Sequence, residues 1–200
     1  MAVMTYQYVF PDRFVAGTVG DADERLYFVQ ARQGSRVTSV LCERKQVEVL
    51  AEHLAEVLEH LSSQSEWHDI IPPARRSADD LDPLDVPLDV DFRAGTMTIT
   101  WVVREQALQI ELFSRGDYQR SFAFRHVTEG EVNGQMLRVL ITPERARDFT
   151  ARVFQLSAMA RPVCPFCAQR IEASGHICPR ANGYRKPMFQ TALGGSRYRG

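Results

Sequence analysis

The 200-residue sequence has no apolar run near the roughly 18 residues that a membrane-spanning helix requires. Its first residues lack the basic stretch followed by an apolar stretch that marks a secretion signal. It also lacks a glycine-rich nucleotide-binding motif, a GxSxG nucleophile motif and an HExxH zinc motif. These absences favour a cytoplasmic protein, and they leave no catalytic class that short motifs could assign.

Cysteine is scarce as well, with four in the whole chain. Three of them fall within fifteen residues, next to a histidine, while Cys42 stands alone at the end of an apolar run. A disulfide framework would spread its cysteines more widely, so the pattern favours a metal site in a reducing compartment. We expect Cys42 to be a small buried hydrophobe.

The composition is that of a globular protein, with 44% apolar and 24% charged residues. A net charge of −1 hides an asymmetry. Residues 1–160 hold 17 basic and 24 acidic side chains, whereas residues 161–200 hold seven basic and one acidic. A basic tail on an acidic body can bind that body, a nucleic acid or an acidic partner.

Apolar patterning predicts an α+β fold with a largely antiparallel sheet and two amphipathic helices. Alternating or mostly apolar runs predict strands, with a glycine-containing hairpin connection at residues 33–35. Apolar residues spaced three and four apart predict a helix at residues 43–61. A second helix should follow Thr142 as its N-cap, with Pro143 in the first turn.

Two segments carry weaker patterns. Residues 62–85 are polar and predict an exposed loop, and the alternation that follows predicts an edge strand with Asp89 and Asp91 on its solvent face. Residues 114–135 are compatible with loop and with one more strand around residues 121–127.

Residues 39–58 and residues 138–157 have similar sequence patterns. Both segments read as a strand, a short polar cap and an amphipathic helix. A duplication explains this order, and so does the ordinary similarity of any two strand–helix connections.

The feature with the most chemistry is Cys164-x2-Cys167-x8-His176-x-Cys178. A Cys-x-x-Cys turn directs two sulfur atoms to one side, and Pro165 presets its backbone. His176 and Cys178 are two residues apart, so their side chains share one face of an extended segment. Three cysteines and one histidine are an established ligand set for structural zinc.

Three alternatives remain for this cluster. A thioredoxin-like redox pair would use Cys164 and Cys167 alone and would leave His176 and Cys178 without a role. Catalytic zinc keeps one coordination position open, which a four-ligand set does not. Chance clustering is the third alternative. The spacing favours structural zinc over all three.

Zinc would also define the domain organisation. A short segment with few large apolar residues cannot bury enough surface to fold alone, and zinc binding would provide the missing free energy. We therefore predict an α+β body at residues 1–160, a Cys3His zinc module at residues 161–187 and a flexible tail at residues 188–200.

Several stretches together resemble an uncharacterised family of actinobacterial proteins, the domain of unknown function 3090. They are PDRFVAGTVG, VQAR, ERKQV, PERARDF, RPVCPFC and GHICPRANGYRK. The similarity extends over about residues 10–186 and is weakest at residues 62–85 and 114–135. It implies a cytosolic bacterial protein of unassigned role, associated with a kinase-like protein and a protein similar to phosphoglycerate mutases. It brings no catalytic residues.

The residues after the last cysteine form a candidate binding surface for an anionic partner: Arg180, Tyr184, Arg185 and Lys186. Arginine and lysine can pair with phosphates while tyrosine stacks on a base. Equally, Arg180 and Tyr184 can pack the zinc module against the acidic body.

Two functional classes follow from these observations. The first is a non-enzymatic binding or adaptor protein, in which zinc rigidifies a basic surface for a protein or nucleic-acid partner. The second is an enzyme or metabolite-binding protein, whose site on the body is assembled only by folding. A pocket with convergent polar groups would favour the second class.

Overall fold

The computed structural model of the chain describes residues 4–20, 25–115, 134–159, 164–169, 171 and 175–180. It divides into two compact units, Met1–Met159 and Ala160–Gly200, here called the body and the C-terminal unit. The strand predicted around residues 121–127 and the tail at residues 188–200 lie outside the described residues.

The described part of the body contains a seven-stranded sheet and two α-helices. In chain order the elements are β1 (Met4–Val9), β2 (Arg13–Val19), β3 (Leu26–Gln33), β4 (Arg36–Cys42), α1 (Arg44–Ser62), β5 (Phe92–Val102), β6 (Ala107–Ser114), β7 (Gln135–Ile141) and α2 (Pro143–Met159). The predicted α+β class, with a largely antiparallel sheet and two helices, is confirmed.

The strand order is β1-β7-β6-β5-β4-β3-β2. β2, β3 and β4 form an antiparallel meander followed by α1, and β5, β6 and β7 form another followed by α2. The two meanders meet where β4 runs parallel to β5, through the pairs Val40–Phe92 and Leu41–Arg93. The two segments with similar sequence patterns, residues 39–58 and 138–157, are thus the corresponding strand–helix connections β4–α1 and β7–α2 of the two halves.

The sheet curls strongly. Tyr8 of the edge strand β1 hydrogen-bonds through its hydroxyl to Thr38 Oγ1 of β4 at 2.8 Å, although four positions separate these strands in the sheet. The Arg36 guanidinium lies 4.1 Å from the centre of the Tyr8 ring. The curvature gives the body an enclosed core rather than two open faces.

Both helices pack on the sheet and on each other as the apolar periodicity predicts. α1 buries one stripe, formed by Val47, Leu50, Ala51, Leu54, Leu58 and Leu61. In α2, Phe149 stacks on Phe14 of β2 with ring centres 4.9 Å apart. Thr142 caps α2 as predicted, because its Oγ1 accepts the N–H of Arg145 at 3.3 Å.

The connection from α1 to β5, residues 63–91, differs from its prediction. Much of it is exposed, but Trp67 is buried and packs edge-on against Trp101 of β5, with ring centres 5.4 Å apart. Leu84 approaches β2 so closely that a β-carbon on Gly17 would lie 2.6 Å from it. The connection therefore packs against β5 through Trp67 and against β2 through Leu84.

The predicted edge strand before residue 92 is wrong. Strand β5 begins at Phe92, and Asp91 binds Ser39 instead, accepting its N–H at 2.8 Å. Asp80 and Asp85 likewise accept hydrogen bonds from the Arg13 guanidinium. These carboxylates are not a solvated strand face, because each fixes the connection to the sheet.

Arg13 is the centre of this attachment. All five of its N–H groups have acceptors in residues 80–85: both Asp80 oxygens, Asp85 Oδ2 and the carbonyls of Asp82 and Pro83, at 2.6–3.0 Å. Arg152 of α2 adds bonds to the Ala16 and Asp82 carbonyls at 2.6 Å each. Because every N–H donor of Arg13 has an acceptor, this side chain stabilises the position of residues 80–85 against β2.

No helix among the described residues is long and apolar enough to cross a membrane.

Candidate metal centre

The first arm of the C-terminal cluster is a tight turn at Cys164–Cys167. The Cys164 carbonyl accepts the N–H of Ala168 at 2.9 Å, and the Cys164 N–H donates to the Gln169 carbonyl at 2.8 Å. Ala168 has φ +58°, a left-handed conformation that is strained for a residue with a β-carbon. The turn reverses the chain directly after the second sulfur.

The second arm carries His176 and Cys178 on a segment without helix or continuous strand. Gly175 precedes it with φ +83°, a conformation that favours glycine. The ligand atoms of His176 and Cys178 lie beside those of the first pair, although eight residues separate Cys167 from His176 in sequence.

The four predicted ligand residues lie together. Their ligand atoms are all within 4.8 Å of one another. The sulfur atoms of Cys164 and Cys178 are 3.8 Å apart, and Cys167 Sγ is 3.3 Å from His176 Nε2. The first distance is far longer than the disulfide bond length of about 2.05 Å.

These separations suit a tetrahedral ion. With zinc–sulfur bonds of about 2.3 Å, two sulfur atoms at a tetrahedral angle lie about 3.8 Å apart, and a sulfur and a nitrogen about 3.6 Å apart. The widest separation, 4.8 Å, exceeds this edge by only about 1 Å. The cluster can therefore hold a metal ion with all four residues.

The turn also favours a thiolate at Cys164. The backbone N–H of Cys167, with a further N–H from Phe166, lowers the pKa of the Cys164 thiol to about 6. The pKa of Cys167 is raised: the N–H of Gln169 opposes the rise, and burial together with the thiols of Cys164 and Cys178 outweighs it. N–H groups directed at a sulfur atom stabilise the deprotonated form that metals bind.

The candidate anion-binding residues are described only in part. Arg180 Nη1 donates to the Phe166 carbonyl at 2.9 Å, which ties Arg180 to the cysteine turn. Tyr184, Arg185 and Lys186 lie outside the described residues.

Two large apolar side chains extend into solvent beside the ligands. Phe166, within the cysteine turn, is 62% exposed, and Ile177, between the second pair of ligands, is 83% exposed. Sequence patterning did not single out either residue. Each residue lies between two ligands in the sequence. Because side chains between inward-facing ligands are directed outward, these positions could have identified both residues.

Comparison with protein-family models matches residues 6–178 to "Protein of unknown function (DUF3090)". The chain belongs to the DUF3090 family. The matched region includes all four candidate ligands and stops before Arg180, so the family assignment covers the metal centre and not the basic residues beyond it. No curated protein and no solved structure matches the chain.

Proposed function

We propose that this DUF3090 chain binds one zinc ion through Cys164, Cys167, His176 and Cys178, and that the ion is structural. The observation that carries the proposal is the convergence of four soft and borderline ligand atoms within 4.8 Å. Three thiolates and an imidazole suit zinc, and four protein ligands leave no open position for a substrate.

We further propose that the protein is a cytoplasmic, non-enzymatic adaptor whose zinc-ordered C-terminal unit binds an anionic partner. Two observations support this. Phe166 and Ile177 expose apolar surface beside the ligands. Residues 161–200 carry seven basic side chains against one acidic. Exposed apolar side chains on a segment with an excess of basic residues suit the binding of an acidic protein segment.

Metal analysis by native mass spectrometry under reducing conditions tests the zinc assignment. We expect one zinc ion per chain, retained in Cys42→Ser and lost in Cys167→Ser. Cys42 is the matched control, because it is a buried cysteine of the body outside the cluster. A wild-type mass without metal, two hydrogens light when reductant is omitted, would show one disulfide in place of a metal site and overturn the proposal; the same loss in Cys42→Ser would locate the disulfide among Cys164, Cys167 and Cys178.

Fluorescence anisotropy with two labelled probes tests the partner. An acidic peptide should bind the zinc-loaded full chain, and Phe166→Ala should weaken that binding while zinc content stays at one. Phe154→Ala provides the matched control, since Phe154 is an exposed phenylalanine of the body. Preferential binding of a single-stranded oligonucleotide would show instead that Phe166 stacks on a base.

A further inference from the structure

A cleft of about 260 Å³ opens in the body where the two meanders meet. Four arginines line it, each from a different segment. Arg25 precedes β3, Arg44 begins α1, Arg93 lies in β5 and Arg115 follows β6. We call this feature the arginine cleft. Its described lining contains a single carboxylate, Glu43, so the cleft is positive within a body that carries more acidic than basic residues.

The cleft charges are only partly neutralised by neighbours. Arg44 Nε pairs with Glu48 at 2.9 Å, and Arg115 lies 3.4 Å from Glu43 in a pair that is at least half exposed on both sides. Arg25 and Arg93 form no ion pair with any part of the chain that the structure describes. The Nε of Arg25 is buried without a hydrogen-bond acceptor.

The two arginines that attach residues 80–85 to the rest of the body differ from those of the cleft in how their donors are used. Arg13 has an acceptor for every N–H, and Arg152 is bonded through all three of its nitrogens. A buried donor without an acceptor is costly, so Arg25 Nε indicates an external acceptor, which the exposed guanidinium groups of Arg93 and Arg115 can also contact.

The walls of the cleft are fixed by hydrogen bonds. The Gln46 side chain of α1 donates to the Ala94 and Gly95 carbonyls of β5 at 3.2 and 2.9 Å. The Arg115 N–H donates to the Arg93 carbonyl at 2.9 Å. The position is the carboxyl end of β4 and the N-terminus of α1, where the helix dipole adds positive potential to that of the arginines.

The chemistry of the lining selects the ligand. Guanidinium groups match phosphate oxygens in pairs, and they do so better than single point charges. The volume exceeds that of one phosphate, and Leu26, Tyr27 and Leu41 provide apolar wall for a small organic group. We infer that the arginine cleft binds a small phosphate ester.

The one thiol on the described lining of the cleft is not a nucleophile. Cys42 borders the cleft, but burial raises the pKa of the Cys42 thiol to about 12, so the thiol stays protonated and is a poor nucleophile. Its sulfur lies 3.6 Å from the Val40 carbonyl within the core. No residue of the metal cluster lines the cleft, so this inference does not depend on the proposed zinc function.

Calorimetric titration of the purified full chain with glycerol 3-phosphate tests the inference at fixed ionic strength. We expect a dissociation constant of about 1 mM or below, with weaker binding of inorganic phosphate. Arg93→Gln should weaken binding about tenfold or more, because a charge-assisted pair is lost. Arg25→Gln should act in the same direction. Arg104→Gln is the matched control, because the Arg104 side chain is 94% exposed and lies outside the cleft.

Two results would overturn the inference as a whole, and a third would overturn its assignment to phosphate. One is an unchanged affinity in Arg93→Gln, whose exposed side chain can be replaced without loss of the fold, as the melting temperature would verify. The other is absence of binding up to about 10 mM ligand. Glycerate, which has a carboxylate in place of the CH2–OPO3 group of glycerol 3-phosphate, should bind more weakly. Equal binding of glycerate would contradict the assignment to phosphate.

Discussion

The body and the C-terminal unit are stabilised by different interactions. The body buries a continuous core that includes fully enclosed side chains such as Leu50, Leu108 and Phe149. Among the described residues of the C-terminal unit, only Cys164 and Cys178 are buried. Burial of apolar surface is the main stabilising term in the first unit, whereas the buried side chains described in the second are two of the four candidate metal ligands. The two units should therefore fail under different perturbations.

Removal of the metal should have the largest effect. Structural zinc contributes about 10–16 kcal/mol in small modules, so a strong chelator should unfold the C-terminal unit and leave the body intact. Limited proteolysis should then remove residues after about 160, while the melting temperature of the body stays unchanged. A cleavage pattern that is the same with and without chelator would show that the unit does not depend on metal.

Phe149→Ala should have the converse effect. Phe149 is 1% exposed and stacks on Phe14, so truncation should lower the free energy of unfolding of the body by about 3–5 kcal/mol. The matched control is Phe154→Ala in the same helix, where the ring is 45% exposed and the loss should be about 1 kcal/mol or less. Zinc content should stay at one ion in both variants; loss of zinc in Phe149→Ala would show that the units are coupled.

Asp80→Asn should destabilise the body by a smaller amount. Arg13 and Arg152 both donate hydrogen bonds to the Asp80 carboxylate. Because the uncharged amide of Asn is a weaker acceptor, the substitution should lower the free energy of unfolding by about 1.5–3 kcal/mol at neutral pH. Chemical denaturation measures the loss. Asp89→Asn is the control, because Asp89 is exposed and no described residue forms an ion pair with it; its effect should stay within about 0.5 kcal/mol.

The effect of Asp80 should also depend on pH. The hydrogen bond from Arg13 lowers the pKa of Asp80 below its ordinary value of 3.8. The Asp80 carboxylate therefore makes its full contribution to stability above pH 3.8. That contribution is lost as the pH falls through the lower pKa that Asp80 has in the folded state. The difference between wild type and Asp80→Asn should shrink in that acidic range, and a difference that grew there would contradict the ion pair.

Ala168→Gly should give the smallest effect, and its sign is the informative part. Ala168 has a left-handed backbone at the cysteine turn, so glycine should relieve strain and slow zinc release by about twofold to fivefold. The same substitution at Ala55 in α1 should instead destabilise the body by about 1 kcal/mol. Faster zinc release from Ala168→Gly would show that the strain is absent once metal binds.

The four ligand residues of the C-terminal site could be predicted from the sequence. For the body, the sequence predicted the helices and most strands but not how polar residues pair between them. The four ligands lie within fifteen residues, so their spacing limits how they can be arranged in space. The helices and most strands follow from apolar periodicity, and Cys42 is buried as expected. Asp91 was misassigned because the alternation before residue 92 resembles a solvated strand, while its partner Ser39 lies 52 residues away in sequence; Asp89 is exposed as predicted.

What the sequence determined by itself is therefore whatever depends on near neighbours: the α+β class, the two amphipathic helices and the cysteine–histidine cluster. The tertiary structure decided what depends on distant pairs. Arg13 meets Asp80 across 67 residues, and the arginine cleft joins segments from Arg25 to Arg115. Periodicity reports which face of an element is apolar. It carries no information on which polar residues the curl of the sheet will bring together.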